Sequence, residues 1–140
     1  MDEIYIKDYD SWNSKKKRLD ARILPIDFFF LEREVWWAAI GINIGREEDG
    51  KNANFERPVL VLNKISYDSL LIAPYTSTIS EGGDNHTTVF KGKTYSIMLG
   101  QLRTISVNRL LRLMYRVKED EFVIIKEKAA DFVHRLEIPR

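Results

Sequence analysis

The sequence predicts a mainly β fold, in which a small barrel of five or six short strands carries additional helices. Between residues 34 and 118, short runs rich in Val, Ile, Leu, Thr and aromatic residues alternate with Gly, Pro and Asn turn signals. Helical patterns flank this region, a polar one before it and an amphipathic one after it. The chain of 140 residues suits one domain with a real core, since such a chain buries roughly 68–70% of its unfolded surface.

The first helical pattern predicts an N-terminal arm. Residues 8–20 are expected to form a short polar helix with Asp10 or Ser11 as its N-cap. We therefore expect a helical arm of residues 1–32, packed on a barrel domain of residues 33–140 that includes the C-terminal helix.

Four consecutive basic residues, Lys15-Lys16-Lys17-Arg18, lie within the predicted arm helix. A basic run of this kind can bind nucleic acid. The simpler interpretation, which we favour, is a solvated helix face.

The strand predictions rest on alternating or fully apolar runs. They are residues 34–44, 58–63, 69–75, 87–90, 95–99 with a continuation over 101–105, and 114–118. Pro74 is expected to end its strand or to lie at a sheet edge, because proline has no N–H for the ladder. Ser106 is expected to cap a short helical turn. The apolar stripe over residues 120–136 predicts a helix that faces the core or a dimer interface.

A long hairpin loop is predicted over residues 45–56, where Gly45 and Gly50 supply backbone freedom. A loop of this length in a small domain is often functional.

Composition excludes several function classes. The chain has no cysteine, which excludes disulfides, thiolate catalysis and Cys-based zinc sites. No run approaches the ~18 apolar residues of a membrane span, and the first residues lack the pattern of a signal peptide. We therefore expect a soluble cytoplasmic protein with no membrane partner.

The charge distribution says more than the net charge of +1. From Asn85 to Lys118 there is no Asp or Glu, and the same segment holds seven Lys and Arg residues. Such a segment can be an electrostatic footprint for phosphate, or a surface that acidic residues elsewhere balance.

Arg57 is the strongest candidate for chemistry on a phosphodiester. It opens the second predicted strand directly after the long loop. A guanidinium remains charged and can bind two phosphate oxygens at once, so it can stabilise charge that develops on phosphorus. The alternative is an ordinary ion pair with Glu47, Glu48 or Glu56.

Other polar residues also lie where strands meet loops. The Thr76 and Ser77 hydroxyls could donate to phosphate oxygens, or merely cap a turn. Gln101 and Arg103 are two residues apart in a predicted strand, so they should share one sheet face. Lys51 could reach a phosphate from the long loop, or could simply solvate that loop.

His86 is the alternative acid or base, because histidine is the side chain that most often transfers protons in enzymes. We expect it to be a solvated residue in a loop beside Asp84.

These motifs, in this order, resemble the MazF/PemK family of toxin ribonucleases. The motifs that carry the resemblance span about residues 33–125 and are Val35-Trp36 with the Gly-rich loop, Arg57-Pro58, Pro74-x-Thr76-Ser77, and Gln101-x-Arg103-Thr104-Ile105. The resemblance implies an SH3-like small β-barrel, a homodimer, and cleavage of single-stranded RNA without metal or cofactor. The expected products carry a 2′,3′-cyclic phosphate and a 5′-OH, and the expected protein partner is an antitoxin whose flexible tail fills the RNA channel.

The resemblance assigns roles to individual residues. Arg57 and Thr76 match the family's catalytic positions, and Gln101 and Arg103 match the strand that lines its RNA groove. Two features depart from the family pattern, namely Gly100 before the Gln and the long N-terminal arm. No residue is identified as the base that takes the 2′-OH proton.

Three hypotheses follow. The leading one is a toxin endoribonuclease of a type II toxin-antitoxin system. The second is a non-catalytic SH3-like module that binds nucleic acid or antitoxin, since one fold hosts many functions. The third is a gyrase-directed poison of related fold, which the Arg57 and Thr76 pattern disfavours.

Overall fold

The computed structural model describes residues 4–79 and 84–135, which form seven strands, two α-helices and two 3-10 turns. The helices are α1 (Tyr9–Asp20) and α2 (Glu119–His134). The strands are β1 (Glu34–Ala39), β2 (Glu56–Ser66), β3 (Ser69–Thr76), β4 (Asn85–Phe90), β5 (Lys93–Met98), β6 (Arg103–Ser106) and β7 (Leu110–Arg116). The 3-10 turns are Leu99–Gln101 and Val107–Arg109.

The strands form one antiparallel sheet in the order β4-β5-β3-β2-β1-β7, with β6 beside β3. The end strands approach each other through stacked rings, because the Phe90 and Tyr115 centroids are 4.0 Å apart. In the part of the chain that the structure describes, no ladder joins β4 to β7, so hydrogen bonds do not close the barrel. The predicted mainly β fold with an N-terminal and a C-terminal helix is confirmed.

Strand β2 is apolar on both faces, which explains why its sequence is nearly continuous in Val and Leu. Leu60 and Leu62 belong to one core cluster, which α2 covers with Phe122, Ile125 and Ala129. Val59 and Val61 point to the opposite face and belong to a second cluster with Ile72 and Ile105. The apolar stripe of α2 is therefore core for its first three turns, whereas Val133 is 72% exposed and Leu136 lies outside the described residues.

Helix α1 packs on the barrel through a third cluster. Trp12 and Leu19 are buried against Ala39, Ile42 and Phe55. The Asn108 side chain also donates to the carbonyl of Leu19, at 3.1 Å. The predicted N-cap was wrong, because the Asp8 carboxylate accepts from the Ser11 N–H at 3.0 Å and thereby caps the helix.

Pro74 lies inside the central strand β3 and not at an edge. Strand β3 pairs with β6 as far as Ile72 and with β5 from Tyr75 onward. The proline occupies the point where the neighbouring strand changes, so its missing N–H removes no ladder hydrogen bond.

Other boundaries also differ from the prediction. Strand β1 ends at Ala39, so the connecting loop is longer than predicted and spans residues 40–55 (the β1–β2 loop below). Gln101 ends a 3-10 turn, whereas Arg103 begins β6, so the two residues do not share a strand face. Ser106 caps the second turn as predicted, because its hydroxyl oxygen accepts from the Asn108 N–H at 3.1 Å, but that turn is only three residues long.

None of the helices in the described residues is long and apolar enough to cross a membrane.

The β1–β2 loop is expected to tolerate alanine at Gly45 far better than at Gly50. A Cβ at Gly50 would lie 1.7 Å from the backbone oxygen of Phe55, whereas one at Gly45 meets nothing within 4 Å and carries only the strain of φ +59°. We expect Gly50→Ala to lower the free energy of unfolding by about 3 kcal/mol and Gly45→Ala by about 1 kcal/mol. Urea unfolding of both variants checks this prediction, and equal losses would contradict the observed loop packing.

Candidate active site

The structure brings Arg57 and Thr76 together at the ends of neighbouring strands. The β2–β3 ladder ends at the pair Val59–Pro74, and Arg57 and Thr76 each lie two residues beyond that pair. The Arg57 Nη1 also donates to the carbonyl of Tyr75, at 3.3 Å. The two predicted catalytic residues therefore belong to one site.

Arg57 is 8% exposed, and all sides of its guanidinium are occupied. Besides the Tyr75 bond, Nη2 forms an ion pair with the Glu48 carboxylate, and Nε donates to the carbonyl of Asp49. Burial lowers the pKa of Arg57, and the charges of Glu48 and Asp49 act in the opposite direction. Arginine titrates so far above neutrality that the side chain stays positive. The site is thus a buried cation whose anion partner comes from the β1–β2 loop.

Thr76 has a hydroxyl with spare bonding capacity. Its Oγ1 accepts from the Thr78 N–H at 3.1 Å, which is the turn-capping role that the sequence allowed. A hydroxyl has one donor and two acceptor positions, so its proton remains able to bind an oxygen of a ligand. Ser77 follows directly and is exposed.

The β1–β2 loop is held in shape by its own polar groups. The Asn43 amide donates to the carbonyls of Ile40 and Glu48, at 3.1 and 2.7 Å. The Asp49 Oδ1 accepts from the Asn43 N–H at 2.6 Å, and the Gly50 N–H donates to the carbonyl of Gly41 at 2.8 Å. These hydrogen bonds position Glu48 and Asp49 next to Arg57.

Gln101 and Arg103 also contact this loop. The Gln101 amide donates to the carbonyl of Arg46 at 3.0 Å and accepts from the Glu48 N–H at 3.2 Å. The Arg103 Nη1 donates to the carbonyl of Ile40 at 3.4 Å. Burial lowers the pKa of Arg103, and the charge of Glu47 opposes that shift.

Four of the six predicted site residues line two cavities on either side of the β1–β2 loop, whereas Thr76 and Ser77 line neither. Gln101 and Arg103 line a cavity of about 270 Å³. Arg57 and Lys51 line a larger cleft of about 1150 Å³ between the loop and α1. Glu48 lines both. Movement of the loop would therefore join the two sets of residues.

Glu48 is the functional candidate that sequence reasoning missed, since it entered there only as an ordinary salt-bridge partner. The available signal was its place in an acidic, Gly-bounded loop just before Arg57. Of the other partners considered, Glu56 pairs instead with Arg112, with Oε2 at 2.8 Å from Nη1.

His86 does not belong to this site, and the prediction of a solvated loop residue was wrong. It lies in β4 and is 9% exposed. Its Nε2 is 3.2 Å from the Glu121 Oε1, and its Nδ1 is 3.0 Å from the Lys128 Nζ. The ring therefore joins β4 to α2 and lines neither cavity.

The basic segment from residue 85 to residue 118 is not one open phosphate-binding surface. Arg103 and Arg112 have the partners described above, and Arg109 donates to the carbonyl of Ala39 at 3.1 Å. Burial lowers the pKa of Arg109 to about 10. Among the described residues, no group of three His, Asp or Glu side chains is arranged to hold a metal ion.

The fold has relatives among solved structures. MazF from Deinococcus radiodurans aligns with a TM-score of 0.66 at 17% identity, over 78% of this chain and 100% of that one. The toxin MazF-mt6 of Mycobacterium tuberculosis aligns with a TM-score of 0.55 at 16% identity, over 76% and 100%. An endoribonuclease in complex with its cognate antitoxin, from a mycobacterial species, gives 0.56 at 13% identity, over 79% and 99%. At these identities the likeness establishes the fold alone.

No curated protein matches the chain at a significant level. The family model described as the PemK-like, MazF-like toxin of type II toxin-antitoxin systems matches residues 32–133. This match contains every predicted site residue and leaves α1 outside. The chain therefore belongs to the PemK-like, MazF-like toxin family of type II toxin-antitoxin systems.

Proposed function

We propose that this protein is a toxin endoribonuclease that cleaves single-stranded RNA without a metal ion and acts as a homodimer in the cytoplasm. The observation that carries the proposal is the Arg57 site. A buried guanidinium, which contacts the strand end of β3 next to Thr76, already binds the carboxylate of Glu48. A site that holds one anion against a buried cation suits a phosphodiester, which presents two anionic oxygens to a guanidinium.

The proposed reaction uses the RNA's own 2′-OH as the nucleophile. The 2′ oxygen bonds to the adjacent phosphorus, and the bond from phosphorus to the 5′ oxygen breaks. The products are a 2′,3′-cyclic phosphate and a 5′-OH. Arg57 stabilises the charge that grows on the non-bridging oxygens, and the Thr76 hydroxyl donates a hydrogen bond to one of them. The departing 5′ oxygen takes a proton from solvent water, which balances the proton removed from the 2′-OH.

Glu48 is the proposed acceptor of the 2′-OH proton. Arg57 is a poor base because its guanidinium stays protonated. An incoming phosphate would replace the Glu48 carboxylate on Arg57 and would leave that carboxylate beside the reacting ribose. Its side chain is 25% exposed, which permits this exchange. General base catalysis of this kind contributes about 10²–10⁴-fold to a rate.

The β1–β2 loop must move for RNA to reach all the proposed contacts. Gln101 binds the loop through two hydrogen bonds, and Arg103 lies on the same side. Opening of the loop frees both side chains to bind RNA together with Ser77 and Lys51. We also propose an antitoxin segment as the physiological inhibitor at Arg57, since one structural relative was solved with its cognate antitoxin.

The first prediction concerns Arg57 itself. Purified protein should cut long single-stranded RNA in excess EDTA, and Arg57→Ala should reduce the rate by about 10²–10³-fold because one donor to the developing charge is lost. End mapping should find 2′,3′-cyclic phosphates. Arg116→Ala, at an exposed position of β7, is the matched control and should cut normally.

Two outcomes would contradict this assignment. Full cleavage by a folded Arg57→Ala protein would remove Arg57 from the chemistry. Tight RNA binding by the unaltered protein without any cutting would favour the non-catalytic binding module. The existing contacts of Arg57 with Glu48, Asp49 and Tyr75 also suit that module.

The second prediction separates proton transfer from binding. Glu48→Gln keeps a side chain of the same shape but loses the base and the charge that competes with phosphate. We expect kcat to fall about 10²–10⁴-fold while KM stays equal or decreases. Glu127→Gln is the control, because Glu127 lies at an exposed position of α2 and lines neither cavity. An unchanged kcat in Glu48→Gln would show that Glu48 only occupies the site.

A further inference from the structure

The large cleft beside Arg57 has a second wall that the family match does not contain. One face of α1 lines it, formed by Ser11, Ser14, Lys15 and Arg18. These positions follow the i, i+3, i+4, i+7 spacing of a single helix face. The opposite wall holds Lys51 and Arg57 of the barrel.

The packing of α1 fixes which basic side chains face the cleft. Trp12 and Leu19 are buried on the barrel, so the helix cannot rotate without exposing them. Lys15 and Arg18 line the cleft, whereas Lys16 and Lys17 line a separate cavity beside Asn108. The basic run is therefore divided between two surfaces, although Lys16, Lys17 and Arg18 are exposed, as the interpretation of a solvated helix face expects.

The cleft has a surplus of positive charge, because six Lys and Arg residues line it and only four Asp and Glu residues do. Each of these acidic residues also has a partner of its own. Asp8 accepts from the Ser11 N–H and Glu47 from the Ile44 N–H, both at 3.0 Å. Glu48 pairs with Arg57, and Asp49 accepts from the Tyr5 hydroxyl at 2.9 Å and pairs with Lys7 at 3.4 Å. Within residues 4–79 and 84–135, no carboxylate pairs with Lys15, Arg18 or Lys51. These three cations are available to an anionic ligand.

The cleft also contains an aromatic platform. Tyr5 is 64% exposed, lines the cleft, and is held in place by its hydroxyl bond to Asp49. A positively charged groove with exposed aromatic rings is the usual site for single-stranded nucleic acid, whose bases stack while its phosphates pair. An acidic polypeptide would use the cations but has no need of the ring.

We propose that α1 and the segment before it form an RNA-binding wall, in which Lys15 and Arg18 bind backbone phosphates that flank the scissile phosphate at Arg57, and Tyr5 stacks on a base. The inference rests on the proposed function, because it takes Arg57 as the point where the strand is cut. The cleft volume of about 1150 Å³ exceeds the roughly 300–1,000 Å³ of a pocket for one small ligand, so it suits several nucleotides.

Two matched variants test the proposal. Lys15→Ala with Arg18→Ala removes two cations from the cleft, and Lys16→Ala with Lys17→Ala removes two from the same helix outside it. Alanine favours helix, so both should fold, which circular dichroism checks. The probe is a fluorescent, fully 2′-O-methylated single-stranded RNA, which cannot be cut, and the readout is affinity by anisotropy at several salt concentrations.

We expect the Lys15/Arg18 variant to bind at least tenfold more weakly at low salt. Its slope of log K against log salt should be shallower by about 1.4, because each lost contact with single-stranded RNA removes about 0.7. The Lys16/Lys17 variant should match the unaltered protein. Tyr5→Ala should weaken binding about tenfold with no change in slope, because stacking releases no counterions.

The outcomes distinguish this proposal from the ribonuclease assignment. If the unaltered protein never cuts RNA but the Lys15/Arg18 variant alone loses probe binding, the ribonuclease assignment fails and the RNA-binding wall stands. If RNA is cut while both double variants share one affinity and slope, the wall is wrong and the assignment stands. If the Lys15/Arg18 variant loses binding only to a poly-glutamate probe, the wall serves a protein ligand and the RNA proposal is overturned.

Discussion

The ion pair between Arg57 and Glu48 is the interaction on which the rest of the site depends. A guanidinium that is 8% exposed needs hydrogen-bond acceptors and an opposite charge, because an unpaired buried charge is strongly destabilising. The protein supplies these from the β1–β2 loop, which must therefore fold back over the ends of β2 and β3. The contacts with Arg57 act together with the loop's own hydrogen bonds, through Asn43, Asp49 and Gly50, in fixing the shape of the loop.

The same requirement links the site to its proposed regulation. A cation that is neutralised by an acidic loop residue can exchange that partner for another anion, whether an RNA phosphate or a carboxylate of an antitoxin. The Gln101 hydrogen bonds to the loop stabilise the closed arrangement, and so does the contact of Tyr5 and Lys7 with Asp49. Exchange must break these contacts, so the free protein holds its proposed catalytic cation in a covered state.

The N-terminal arm takes part in this arrangement, because it contacts the β1–β2 loop. It lies outside the residues that the family model matches, yet Tyr5 and Lys7 contact the loop that covers Arg57. Trp12 fixes the orientation of α1, with its ring centroid 5.6 Å from that of Phe55 in the same loop. The arm is thus part of the environment of the site and not a separate appendage.

The sequence by itself determined the fold class, the family and the strand-end positions of Arg57 and Thr76, because these depend on local periodicity and on motif order. It did not determine the N-cap, the end of β1 or the place of Pro74, since these depend on which strand lies beside which. Only the tertiary structure identified Glu48 as the partner of Arg57 and placed His86 against α2. Only the tertiary structure showed that Lys15 and Arg18 line the cleft beside Arg57, whereas Lys16 and Lys17 line a different cavity. Each of these features depends either on a contact between residues that are distant in sequence or on which face of a helix packs against the barrel. Tertiary packing decides both, and the spacing of residues along the chain does not record it.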